Sequence, residues 1–230
     1  MSTLAPGELL VQLGLTSTLH LGTSVGTIAP IIRAPLHLDE LDTALEGGLP
    51  RGQLSEIVGP SSCGKTALLY TLLATGTARG EVVALVDLAD AFSPPAAAAA
   101  GIDLGRTLWI RPASVREALR CVELVLEASG FGAVAVDLGT AARGARLGSG
   151  TGLRLARAAK RSEAVVVLLA DERVAGTFAA LGLALQSVRH HWSRRGCGPN
   201  LFDGFEAEAV LVRNKLGAPG RATTVRVAAR

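Results

Sequence analysis

Eight residues constrain this chain more than any others. Gly59-Pro-Ser-Ser-Cys-Gly64-Lys65-Thr66 follows the pattern GxxxxGK[ST]. A β-rich run, Leu54–Val58, precedes it, and a helical stretch from Lys65 to Thr75 follows. Glycines let successive backbone N–H groups converge on phosphate oxygens. The helix that follows adds the positive end of its dipole. In such a loop Lys65 reaches the β- and γ-phosphates of a nucleotide, and the Thr66 hydroxyl ligates Mg²⁺. The expected cofactors are therefore ATP and Mg²⁺. The expected binding set is Gly59, Pro60, Ser61, Ser62, Cys63, Gly64, Lys65, Thr66 and Ala67. A glycine-rich turn with a surface lysine is the bland alternative, and the flanking strand and helix weigh against it. Cys63 reads as a small filler residue rather than a redox group.

The rest of the chain alternates short apolar runs with helical stretches. Glu81–Asp87, Arg106–Ile110, Phe131–Asp137 and Ala164–Leu169 read as strands; Ser114–Ala128 and Gly152–Arg161 read as helices. Near-continuous apolar runs suit strands buried on both faces, so the fold class is α/β, a mostly parallel sheet flanked by helices. Glu208–Val212 and Thr223–Val227, separated by Gly217–Gly220, predict an antiparallel pair at the sheet edge. Pro94 and Pro95 start a short alanine helix. Residues 1–38 hold one short helix candidate, Gly7–Leu13, and a strand near Thr18–Leu21. Gly139–Gly152 and Arg194–Asp203 read as loops. Mg²⁺ needs a carboxylate at the end of a neighbouring strand, and both Asp87 and Asp137 qualify. Asp137, after four apolar residues, has the cleaner form.

The formal charge of +3 conceals an asymmetry. Residues 1–137 hold 8 basic and 14 acidic side chains, whereas residues 138–230 hold 15 basic and 6 acidic. A basic second half suits a nucleic acid or an acidic partner. No segment combines a charged start, an apolar run and a cleavage site, and no apolar run is long enough for a bilayer. Three scattered cysteines without CxxC spacing fit a reducing cytoplasm, not a disulfide framework or zinc site. His190 and His191 are adjacent and point apart, as a solvated strand end does. Gly148-Ser-Gly-Thr-Gly152 lacks the context of a dinucleotide fingerprint and reads as flexible loop. Trp109, inside a strand, is expected in the core. Trp192, beside arginines, is a candidate for nucleic acid or an interface. Arg154, Arg157, Lys160 and Arg161 share one helical face, which suits solvent as well as a binding stripe.

Several motifs in order then resemble the RecA superfamily: His37–Thr66, Val86–Asp103, Phe131–Ala141 and Val210–Val227. The resemblance implies a RecA-like P-loop NTPase core over residues 36–230. Residues 1–35 would be an N-terminal segment suited to interaction or oligomerisation, and no C-terminal RecA domain is expected. It puts Asp137 on the Mg²⁺-binding aspartate. It puts Arg213 and Lys215 where RecA filaments reach ATP on a neighbouring subunit. Ala89 stands where the family has a glutamate that orients water, leaving Asp90 as the nearest catalytic candidate. Asp171 and Glu172 stand where a γ-phosphate-sensing glutamine is usual. The first DNA-contacting loop corresponds to Gly139–Gly152, and its Arg143, Arg146 and the following Arg154 are DNA-binding candidates. The second loop is cut to Glu172–Leu185 and carries only Arg173.

These departures resemble the ImuA-like subgroup, accessory proteins of bacterial mutagenic translesion synthesis. Gly105–Leu119 and His191–Gly217 carry that likeness. The resemblance implies an ATP-binding regulator in the DNA-damage (SOS) response, with RecA or a translesion polymerase complex as partner. Single-stranded DNA and self-association are also implied; a membrane is not. Two other readings stand beside it: an active DNA-dependent ATPase or recombinase, and an interaction module independent of nucleotide.

Overall fold

Phe131–Asp137 and Val165–Ala170 carry apolar side chains on both pleat faces, and both are buried from their third residue or earlier. They form the middle of an eight-stranded sheet in a computed structural model that describes residues 31–194, 200–217, 220 and 222–228. The strands are β1 (Arg33–Ala34), β2 (Leu49–Pro50), β3 (Gln53–Val58), β4 (Val82–Asp87), β5 (Thr107–Ile110), β6 (Phe131–Asp137), β7 (Val165–Ala170), β8 (Leu181–Arg194), β9 (Asn200–Asn214) and β10 (Ala222–Ala228). The helices are α1 (Asp39–Ala44), α2 (Lys65–Ala78), α3 (Pro94–Ala99), α4 (Val115–Ala128) and α5 (Ser149–Ser162). β1 and β2 pair separately. The large sheet runs β10-β9-β8-β3-β7-β6-β4-β5. Every pairing from β8 to β5 is parallel, and β8/β9 and β9/β10 are antiparallel. The expected α/β class and its antiparallel C-terminal edge are present.

Period-two alternation divides the core between the two faces. Ile57, Val83, Leu85, Val167 and Leu169 point to one side, where Leu68, Leu69, Leu72 and Leu73 of α2 cover them. Leu54, Val86, Val136, Val166 and Leu168 point to the other, under Val122 and Leu126 of α4 and Leu155 of α5. Phosphate loop, Asp137 and Asp171 therefore all lie at the carboxyl edge of the parallel strands, where open α/β sheets take their ligands.

Four expectations need correction. Gly139–Gly152, read as a loop, holds a 3-10 turn at Gly139–Ala142, and the stretch read as flexible loop from Gly148 to Gly152 is the start of α5, which begins at Ser149. The segment read as a second loop to Leu185 ends earlier, because Leu181 begins β8. Leu181, Leu183 and Leu185 are buried at spacing two, so this stretch pairs beside β3. The loop read over Arg194–Asp203 is also shorter: Asn200–Asp203 belongs to β9, and residues 195–199 lie outside the described ones. Trp109 is not core. Its strand is the sheet edge, with a neighbour on one side only, and Trp109 stays 37% exposed. The elements expected at Gly7–Leu13 and Thr18–Leu21 fall outside the described residues. Among those described, no helix is long and apolar enough to cross a membrane.

Candidate functional site

β3 ends at Val58 and α2 begins at Lys65, so the phosphate loop turns within six residues. Ser62 and Gly64 both take positive φ, at 63° and 96°. Gly64 is fixed by packing as well: a Cβ there would sit 2.4 Å from a ring carbon of Phe205. β9 thus lies against the loop. Cys63 is 1% exposed and packs in the core. Burial pushes its thiol up, so it is no reactive thiolate.

Lys65 folds back over its own loop. Its Nζ donates to the Gly59 carbonyl, to Pro60 at 3.4 Å and to Asp171 at 2.8 Å. Asp171 follows β7 and also takes Arg143 at 2.9 Å. Lys65 first, then Arg143, holds the Asp171 carboxyl below its usual range. One carboxylate therefore joins Lys65 to Arg143 in the stretch after β6.

The two strand-end aspartates differ in what occupies them. Asp87 accepts from Ala91 N–H at 3.1 Å, Phe92 N–H at 3.0 Å and the Trp109 indole at 3.2 Å. It builds the turn after β4. Asp137 accepts one bond, from Gly139 N–H at 3.0 Å, and its other oxygen has no hydrogen-bond partner among the described residues. Burial raises the Asp137 carboxyl above the ordinary range, and Asp87 adds to this. Ala89 lies against the first loop: a Cβ on Gly139 would be 2.8 Å from its methyl group. Asp90, the catalytic candidate, makes two 2.9 Å bonds with Arg111, which stacks over Trp109. Its carboxylate is thus committed at the β5 edge.

The raised Asp137 carboxyl has a consequence for stability. The folded chain binds that proton more readily than the unfolded chain does. Charged Asp137 therefore costs stability at neutral pH, and the cost fades as pH falls through the raised value. Asp137→Asn is expected to raise the nucleotide-free melting temperature at neutral pH, with the gain shrinking in acid. Calorimetry at both pH values checks this; an unchanged or lower neutral melting temperature sinks it.

The stretch between β7 and β8 is tied down at several points, with Val174 and Ala175 buried and Glu172 and Thr177 exposed. Fully buried Glu56 of β3 accepts from Val174 N–H and, at 2.6 Å, Ala175 N–H. Arg173, a DNA-binding candidate, points inward to Glu56 at 3.4 Å and to the Gly176 carbonyl at 3.1 Å. The Phe178 ring fills a notch at Gly152 of α5, where a Cβ would be 2.2 Å away. Arg213 donates to the Ala179 carbonyl at 2.7 Å, and Lys215 donates to Thr177. The two residues expected to reach a neighbouring subunit are thus engaged within their own chain. Burial, and then Arg213, lowers the Lys215 ammonium. Sequence reading missed Glu56, whose signal is a lone carboxylate in an apolar strand.

The other basic candidates lie elsewhere. Arg154 bonds Glu123 of α4 at 3.0 Å, and Arg146 donates to the Ala145 carbonyl at 2.8 Å. His191 meets Glu206 at 3.7 Å along the β8–β9 ribbon, where Trp192 packs on Phe202 and stays 60% exposed.

These groups suit an ATP–Mg²⁺ unit. Lys65 is a cation held by carbonyls and one carboxylate. Thr66 is exposed in the first turn of α2, and Asp137 keeps an oxygen with no hydrogen-bond partner among the described residues.

Comparison with known proteins bears on the family and the fold. The family described as RecA N-terminal domain matches residues 8–147. Protein RecA of Chlorobium limicola is 41% identical over 98 residues, 42% of this chain and 28% of that protein. Protein RecA of an Arthrobacter species is 34% identical over 127 residues, 55% of this chain and 36% of that protein. The matched stretch thus spans about a third of these relatives' length. The crystal structure of the RadB recombinase superposes with a TM-score of 0.64 at 24% identity, covering 84% of this chain and 95% of that one.

Proposed function

The chain belongs to the RecA N-terminal domain family and carries that family's ATPase core, and from this we propose that it is an ATP-binding accessory protein of the ImuA-like kind. It would regulate RecA or a translesion polymerase complex in the cytoplasm during the DNA-damage response. The observation that carries the reading is the short, tied-down stretch between β7 and β8. Glu56, Phe178, Arg213 and Lys215 all hold it, which leaves no long free second loop for exchanging DNA strands.

In this reading the backbone from Gly59 to Ala67 and the Lys65 ammonium hold the phosphates. Thr66 and Asp137 hold Mg²⁺, which supplies charge neutralisation at the phosphates. Asp87 keeps the β4 turn in place rather than binding metal. Ala89 offers no carboxylate to orient water, and Asp90 is paired with Arg111, so hydrolysis is slow. Arg213 and Lys215 reach a neighbouring subunit's ATP only on stacking, after leaving Thr177 and Ala179. Residues 1–35 serve as an interaction arm.

The test is ATP turnover by the purified chain with and without single-stranded DNA, beside a strand-exchange assay. Slow turnover, little changed by DNA, and no exchange are expected. Robust strand exchange would support a working recombinase instead.

A further inference from the structure

A groove of about 880 Å³ runs between α4 and α5, on the sheet face opposite α2. Its size suits a short peptide or small molecule. One wall is aliphatic, with Leu119, Leu147 and Val174. Four arginines line it against a single carboxylate, Glu123. Glu123 is 5% exposed and holds Arg120 at 3.2 Å and Arg154 at 3.0 Å. The remaining two, Arg116 and Arg146, are exposed and form no ion pair among the described residues. No aromatic ring lines the groove, so nothing there stacks a base, as single-stranded nucleic acid sites do. Guanidiniums beside an aliphatic wall match carboxylates beside an apolar side chain.

We propose that this groove binds a partner protein through a short acidic segment. Carboxylates pair with Arg116 and Arg146, and an aliphatic side chain packs on Leu119, Leu147 and Val174. The proposal rests on the reading of the chain as an accessory protein and names the chemistry of its partner.

The probe is a fluorescein-labelled peptide of about a dozen residues with alternating Leu and Glu, titrated into the full chain by anisotropy. Saturable binding is expected. Replacing Glu by Gln in the peptide, or Arg116→Glu in the protein, should weaken it about tenfold or more. A Lys-bearing peptide should in turn prefer the Arg116→Glu chain over the unsubstituted one. Equal binding of the Gln peptide, no binding of the Glu peptide, or displacement by an equal concentration of single-stranded oligonucleotide overturns the proposal. The last outcome would make the groove a nucleic-acid site. The melting shift given by ATP–Mg²⁺ is read in the same samples, and its loss in the unsubstituted chain would count against the nucleotide reading, not against the groove.

Discussion

Lys65→Ala is expected to abolish the gain in thermal stability that ATP and Mg²⁺ should give the unsubstituted chain. A ligand that binds only the folded state, at about a hundred times its dissociation constant, contributes about 2.7 kcal/mol. In a chain of this size that is a shift of about 5–10 °C. Without Lys65 the backbone cradle remains, but the cation facing the phosphates is gone, and the shift falls to near zero. Asp171→Asn works in the other direction. Asp171 holds Lys65 at 2.8 Å with both side chains largely buried, so phosphates must compete with a carboxylate for the same ammonium. Asparagine keeps the shape and removes the charge. Nucleotide affinity should rise about tenfold, or about 1.4 kcal/mol. The same pair sets a pH dependence in the nucleotide-free chain. Because Lys65 and Arg143 depress the Asp171 carboxyl, its contribution is present above the ordinary carboxylate range and is lost as pH falls through the depressed value. Differential scanning fluorimetry across a nucleotide titration checks both variants. A full shift in Lys65→Ala, or weaker binding by Asp171→Asn, removes this account.

The phosphate loop was legible because each of its residues answers to local chemistry: glycines, a lysine and a threonine between a strand and a helix. The strands β3, β4, β6 and β7 were legible because burial on both faces makes them continuous apolar runs. β8 was not, since its alternating leucines sit among glycines and alanines and resemble a loop shortened from a family pattern. What Asp171 does was also hidden. Sequence placed it after the fifth strand of the core, but only the fold brings it to Lys65, 106 residues earlier. The inward turn of Arg173 was invisible for the same reason, because its partner Glu56 is 117 residues away. Trp109 was misplaced because a strand's hydrophobicity does not say whether it is central or at an edge.

Glu56 carries the second large effect. It is a carboxylate at 0% exposure in a central strand, and it anchors a loop rather than a ligand. Glu56→Ala leaves two buried N–H groups without an acceptor and Arg173 without its carboxylate. Arg173 is 37% exposed and can turn to water, so the cost is that of the two orphaned N–H groups, about 2–6 kcal/mol together. Against a total of about 5–15 kcal/mol for typical domains, that lowers the melting temperature by about 4–24 °C. Glu56→Gln retains one acceptor oxygen in the same shape and should lose about half as much. The damage should also be local before it is global. Amide exchange at Val174 and Ala175 should accelerate in Glu56→Gln while amides in α2 stay protected, because only the stretch after β7 has its anchor weakened from a charged to a neutral acceptor. That stretch begins at Asp171, so freeing it also loosens the carboxylate that competes for Lys65. Nucleotide should then bind Glu56→Gln at least as tightly as the unsubstituted chain, despite the lower stability. A variant that is less stable and also binds nucleotide more weakly would show that the loop supports the phosphate site rather than restraining it.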